Sequence, residues 1–431
     1  MSQILDRKTA PGSHALEKIL IAQAKQLKLD NGIPISLINA GTQDLVKIEF
    51  IFNAGVWYQP VSLQASCTSS MLDEGTKTRK AAEIADGIDY YGAYLEQEVD
   101  QDWAYITLYT LNKHLASVLP VLEDVLKNPV FPENELNILL QNKRQTFLVD
   151  NEKVAHIART RFSALIFGNE FPYTYRLKTE DFELLKREHI VDFFNTYYKS
   201  DQCKIVISGK VDDSAVKLIN KHFGGNDWGI NNQQPSIVSG SIKSDAQNKH
   251  FIMRDDAVQS AIRIGRILFN KLDPDYHAVK VLNTVLGGYF GSRLMANIRE
   301  EKGYTYGIGS RIISLRNAGY FFISTEVGAD VCKPAIKEIY SEIKRLCDEL
   351  VPDDELALVK SYMLGDFVRS VDGPFALAEK FKKIMLYNLG YDYYDTFVDT
   401  VRNVSSQQLR DLANKYLTEN HLHELVVGKM Q

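Results

Sequence analysis

Cysteine is scarce: four in 431 residues, Cys67, Cys203, Cys332 and Cys347, with no C-x-x-C. That spacing excludes a disulfide framework and a cysteine zinc knuckle, and it points to thiols kept buried or half-buried in a reducing compartment. Long apolar runs are missing as well. No window approaches the ~18 apolar residues that a membrane helix needs. The stretch from Met1 to Lys18 holds no apolar segment of signal-peptide length, so a cytoplasmic location is expected. Charge of one sign is not in excess either. The chain has 50 Lys and Arg against 55 Asp and Glu, a net charge of −5, and no run of five like charges. The overall basic footprint of a nucleic-acid binder is therefore absent.

Several catalytic signatures are absent too. There is no G-x-x-x-x-G-K-[ST] loop to cradle phosphate, no G-x-S-x-G elbow and no G-x-G-x-x-G opening a helix. The nine histidines form neither H-E-x-x-H nor H-x-x-E-H. His14 and Glu17 have the spacing of the latter, but Lys18 stands at its last position, and a charged ammonium cannot ligate zinc. A solvated N-terminal helix is the simpler reading there. His421 and His423 would share one face of a strand and suit a metal, but their place just before the last strand favours an ordinary polar strand entry.

What is present is a repeat. Pro132-Glu133-Asn134-Glu135-Leu136 returns as Pro352-Asp353-Asp354-Glu355-Leu356, at an offset of 220. Ile190 to Tyr198 returns as Leu409 to Leu417, and Ile205 to Lys210 as Glu424 to Lys429, both at 219. Three matches in register indicate two homologous halves. We place them at 1–223 and 246–431, joined by a Gly-, Asn- and Ser-rich linker over 224–245 that can bury little surface. Val46 to Ala54 and Asp102 to Leu111 alternate as strands. Lys80 to Tyr91 reads as a helix closed by Gly92, and Lys113 to Leu126 as a helix with Leu115, Val118, Leu119, Leu122 and Val125 on one face. Pro132 suits a helix N-terminus followed by acids. The fold class expected is α+β: two homologous domains, each a mostly antiparallel sheet covered on one face by helices, facing each other across a cavity.

The segment Ser66-Cys67-Thr68-Ser69-Ser70-Met71-Leu72-Asp73-Glu74-Gly75-Thr76 resembles the active-site helix of the insulinase/pitrilysin zinc peptidases, the inverzincins that include the mitochondrial processing peptidase. That family carries H-x-x-E-H before M-L-x-x-G-T. Met71, Leu72, Gly75 and Thr76 keep the trailing pattern, but the two histidines fall on Ser66 and Ser70 and the glutamate on Ser69. Serine is a poor zinc ligand and cannot act as general base at neutral pH. The family's third ligand, a glutamate roughly 75 residues on, falls in Leu136 to Val149, which contains no Asp, Glu or His. Asp150 and Glu152 lie just beyond, so a shifted ligand stays open.

The second half carries the complement. Leu286-Gly287-Gly288-Tyr289-Phe290-Gly291-Ser292-Arg293-Leu294, followed by Ile298-Arg299-Glu300-Glu301-Lys302-Gly303-Tyr304-Thr305-Tyr306, is similar to the family's C-terminal-domain signature. The resemblance implies that Arg299 and Tyr306 hydrogen-bond the substrate carbonyl oxygen, roles that a guanidinium and a phenol suit. Gly303 is expected to end the helix carrying Arg299, with Tyr306 on the strand beyond it. Without the signature, an arginine beside two glutamates would be a solvated face and a strand tyrosine half-buried packing. Arg293 reads as structural. Gln259-Ser260, before a strand from Ala261 to Ile267, sits where the family often has Gln.

The resemblance implies a non-catalytic subunit of a heterodimeric zinc endopeptidase. This chain would hold no metal and would donate Arg299 and Tyr306 to the zinc site of a homologous H-x-x-E-H-bearing subunit that cleaves unfolded peptides. A catalytically dead homodimer that grips peptides is the alternative. An enzyme with a relocated metal site is disfavoured by the scattered histidines.

Overall fold

The computed structural model describes residues 21–230 and 240–430. The His14–Lys18 segment and the middle of the linker lie outside these residues.

The first half runs β1 (Lys25–Lys28), β2 (Pro34–Asn39), β3 (Leu45–Phe52), α1 (Gln64–Ser70), α2 (Ala81–Asp89), β4 (Tyr94–Val99), β5 (Ala104–Leu111), α3 (Leu115–Lys127), α4 (Glu133–Asp150), α5 (Val154–Phe167), α6 (Asp181–Leu184), α7 (Arg187–Tyr197), β6 (Cys203–Gly209) and α8 (Asp213–Phe223). The second runs β7 (Lys249–Met253), β8 (Gln259–Leu268), α9 (Tyr276–Asn283), two wide helical turns (Thr284–Gly288 and Met295–Glu301), β9 (Ile308–Ser314) and β10 (Gly319–Gly328). It continues through α10 (Cys332–Asp348), α11 (Asp353–Arg369), α12 (Pro374–Met385), α13 (Asp392–Asn403), α14 (Ser406–Tyr416) and β11 (His423–Gly428).

The first sheet is ordered β1-β2-β6-β3-β5-β4 and the second β7-β11-β8-β10-β9. Apart from β1 the two orders match strand for strand. In each, one pair is parallel, β2 with β6 and β7 with β11, and the rest are antiparallel. The repeated Pro-acid segments occupy equivalent places: Pro132 and Pro352 each precede the first turn of a long helix that opens with acids, where the helix dipole favours negative charge. The five apolar positions read onto α3 are all buried.

Strand alternation sends neighbouring side chains to different cores. Val46, Ile48, Phe50 and Phe52 of β3 pack with the helices of the first half, while Ile51 joins the core of the second half, together with Trp103, Tyr105 and Val206. Ala261, Leu425 and Val427 of the second sheet reciprocally join the first core. The sheets are thus covered on both faces, where one was expected. The second cover comes from the other half: α5 lies on β8 and β11, and α12 lies on β6 and β2.

Charge pins this exchange. Lys47 and Glu49 of β3, both buried, meet Glu379 and Lys382 of α12. Lys47 Nζ is 2.8 Å from Glu379 and 2.9 Å from Glu49, and Lys382 Nζ is 2.7 Å from Glu49. Burial alone would lower the Lys47 pKa, but Glu49 and Glu379 overcome it and hold the ammonium well above its ordinary value. The β4–β5 and β9–β10 turns, equivalent in the repeat, also meet. The Arg316 amide donates to Asp102 Oδ2 at 2.9 Å, its guanidinium donates to Tyr58 Oη at 3.1 Å, and it lies 5.0 Å from the Trp103 ring. The Tyr173 hydroxyl donates to Asp102 from the other side.

Candidate functional site

Helix α1 begins from Leu63 in the left-handed region, φ 69°, and packs on α7 and β4. Ser66 is half-buried and its hydroxyl donates to the Leu63 carbonyl at 3.1 Å. Ser69 is buried with no hydrogen-bond partner for its Oγ, and Ser70 is half-buried. These are short neutral side chains turned partly into the protein. From α4, Lys143 is close enough for its charge to act on the Cys67 thiol, so this side of the site offers a cation where a metal would need a carboxylate. Burial nevertheless pushes that thiol up to about 11.

Neither shifted ligand is free. Asp150 pairs with Lys153 at 2.8 Å and Glu152 with Arg254 at 2.8 Å. Among the described residues, no group of three or more His, Cys, Asp or Glu is placed to hold a metal ion. His421 and His423 do not form a pair: His421 lies in a turn before β11, 3.0 Å from the Thr418 hydroxyl, while His423 is buried in the strand.

The glycine signature has a packing cause. A Cβ on Gly287 would lie 2.7 Å from the Ser310 backbone nitrogen, so glycine lets the first wide turn approach β9. Arg293 is buried and makes a two-pronged pair with Glu355 of α11, both arms 2.8 Å, which makes it structural. The Asn297 amide donates to Glu342 of α10 at 2.8 Å. These anchors fix the wide turn Met295–Glu301 that carries Arg299.

Arg299 is half-buried, with its guanidinium 4.6 Å from the Phe290 ring centre. The neighbouring Glu301 does not neutralise it but pairs with Lys302 at 2.8 Å. Gly303, at φ 67°, ends the turn as its sequence position predicts. Tyr306 departs from expectation. It is not in the strand but in the loop two residues before β9, and it is 95% exposed. Its neighbour Thr305 is tied down, its hydroxyl donating to the Glu326 carbonyl at 2.7 Å, so a fixed loop projects a free phenol. Arg299 and Tyr306 thus flank one anchored turn, while the three serines sit on α1 of the other half. A cavity of about 360 Å³ next to Tyr306, bounded by α5, β8 and β10, contains none of those serines.

Residues 185–363 match the family described as peptidase M16 inactive domain. The chain is 22% identical to a Bacillus subtilis protein described as uncharacterized zinc protease YmxG, with 93% of this chain and 98% of that protein covered. It is also 22% identical to a Helicobacter pylori protein described as non-peptidase homolog YmxG, with 84% of each covered. Among solved structures, the peptidase M16 inactive domain from Pseudomonas fluorescens superposes with a TM-score of 0.83 at 20% identity, covering 95% of this chain and 99% of that one. The fold is therefore the two-domain α+β arrangement of that solved structure, and the chain is similar to M16 peptidase-like proteins.

Sequence reasoning did not single out Arg316, Arg263 or the Lys47–Glu49 pair. For the last, the signal was present as two charges at i and i+2 in an otherwise apolar strand.

Proposed function

We propose that this chain is the non-catalytic subunit of a two-chain zinc endopeptidase, presenting Arg299 and Tyr306 to the active site of a homologous H-x-x-E-H-bearing partner. The observation that carries the reading is the state of those two side chains. Among the described residues Arg299 has no acidic partner, and Tyr306 is almost wholly exposed on an anchored loop. A donor left free in the isolated chain, on a rigid support, suits a site completed by another molecule.

Zinc, held by the partner, supplies the Lewis acid and the activated water. This chain's part is to hold the scissile carbonyl. The guanidinium and the phenol both donate hydrogen bonds to oxygen, and both favour the charge that develops there in the transition state. Substrates are unfolded peptides, and the complex works in the cytoplasm.

The test is reconstitution. The purified chain is mixed with the H-x-x-E-H homologue from the same genome, and complex formation and peptide hydrolysis are followed. Hydrolysis by the mixture, with neither chain active alone, is expected. A purified chain that cleaves peptide by itself, or a mixture that assembles without gaining activity, contradicts the reading.

A further inference from the structure

The sheet faces that each half turns toward the other differ at one register position. In the first sheet the position opposite Thr107 of β5 and Val206 of β6 is Glu49, closed off by Lys47 and Lys382. In the second sheet the same position, opposite Ser324 of β10 and Leu425 of β11, is Arg263. The position of Lys47 becomes Ala261, so the second sheet keeps one charge and lacks its complement.

Among the described residues Arg263 forms no ion pair with a carboxylate, and the groups close enough to act on it are the neutral Tyr320 phenol and the like-charged Arg159 of α5. Its guanidinium rests 4.7 Å from the Phe322 ring centre. Burial, aided by Arg159 of α5, pushes its pKa down to about 10, which still leaves it charged at neutral pH. Above it opens the 360 Å³ cavity. Ala155 and Ala158 of α5 form one wall. Gln259 and the exposed Tyr306 also line it. Glu326, an exposed residue of β10, is the acid among the lining residues. A half-buried cation without a counter-ion, lining a cavity, suits an anion brought from outside.

We propose that this cavity binds a carboxylate carried by an extended peptide, its C-terminus or an Asp or Glu side chain, with Arg263 as the two-pronged donor. The proposal rests on the reading that peptides pass Tyr306, and it assigns them a chemical class: the preferred substrates carry a carboxylate close to the bond presented there.

The test is calorimetric titration of the full chain with three acetylated Ala/Ser heptapeptides. One has a central Gln and an amidated C-terminus, one a central Glu and an amidated C-terminus, and one a central Gln and a free C-terminus. At least one carboxylate-bearing peptide should bind about tenfold to a hundredfold tighter than the neutral one. Which of the two does so identifies the source of the carboxylate. Arg263→Gln should abolish the preference, and Glu326→Gln should strengthen it. Should Arg263→Gln fail to fold, Ala155→Leu fills the cavity from the α5 side, leaves the guanidinium in place and should abolish the preference equally. Equal binding of the three peptides, no binding of any, or a preference that survives both Arg263→Gln and Ala155→Leu would overturn the proposal. The dependence of mixed-complex turnover on Tyr306 is measured separately, so failure of this pocket is distinguishable from failure of the subunit reading.

Discussion

Restoring two histidines and a glutamate on α1 does not rebuild a zinc site, because a tetrahedral centre needs a third protein ligand and the stretch of α4 from Leu136 to Val149 has none to give. Leu136 to Val149 contains Lys143 and Arg144 and no carboxylate, and Lys143 already acts on Cys67. The triple variant Ser66→His, Ser69→Glu, Ser70→His should therefore hold no stoichiometric zinc after dialysis, as read by elemental analysis. One tightly held equivalent would refute this. His277 makes a second residue-scale prediction. Its ring is buried 4.5 Å from Tyr393 and 5.5 Å from Phe397, and burial, with Lys280 nearby, lowers its pKa to about 4. The unfolded chain protonates this group near pH 6.5 and the folded chain near 4, so stability is full above 6.5 and falls as pH drops toward 4. The loss should be on the order of 3 kcal/mol, and His277→Phe should flatten that part of the pH–stability curve. At this scale side-chain identity carries the expectation, since Ser66, Ser69 and Ser70 of α1 offer neither an imidazole nor a carboxylate. The exposure of Tyr306 was not: strand or loop there depends on where pairing with β10 begins, and β9 pairs only from Ile308.

Helices α5 and α12 carry the element-scale argument. Each leaves its own half to cover the other's sheet, and α12 brings Glu379 and Lys382 to charges on β3 that have no other escape from burial. Removing one member of such a set strands its partner. Lys382→Met should cost about 3 kcal/mol, read from the denaturation midpoint, because Glu49 is 2% exposed. Glu379→Gln should cost clearly less, since that side chain is 41% exposed and water can replace part of what is lost. Equal effects would mean that the network is not buried in solution. Helix α3 was legible from its apolar face and α4 and α11 from their Pro starts, and so were β3 and β5, whereas α5 and α12 were not read from the sequence. Lys47 and Glu49 were not. Alternating with Val46, Ile48 and Phe50, they read as a solvent face, because nothing local reveals a covering helix more than 300 residues away in the chain.

At the scale of the whole molecule, the repeat legible in three short matches returns as one strand order in both sheets, with the two equivalent turns meeting at Asp102 and Arg316. The reciprocal helices were beyond sequence reasoning for the same reason as their charges. They make the halves interdependent: α5 would be left with Ala158, Phe162 and Ile166 uncovered, and α12 with Leu377, Ala378 and Phe381. Residues 1–223 and 246–431 expressed separately should be insoluble or partly unfolded, and co-expression should recover a complex with native-like circular dichroism. Two soluble, cooperatively melting halves would contradict the exchange.

The subunit reading itself is tested most directly by turnover of the mixed complex with Tyr306→Phe. The substitution removes one hydroxyl from a ring that is already free, so assembly, checked by size exclusion, should not change. If the phenol stabilises charge on the substrate oxygen, its loss appears in kcat, by about a hundredfold to a thousandfold, with KM little affected. Arg299→Ala should behave alike, and Arg299→Lys should rescue it poorly because an ammonium lacks the planar fork. The account predicts a normally assembled complex with kcat lowered to this extent. Tyr306→Phe and Arg299→Ala complexes that assemble and cleave at wild-type rates would contradict it.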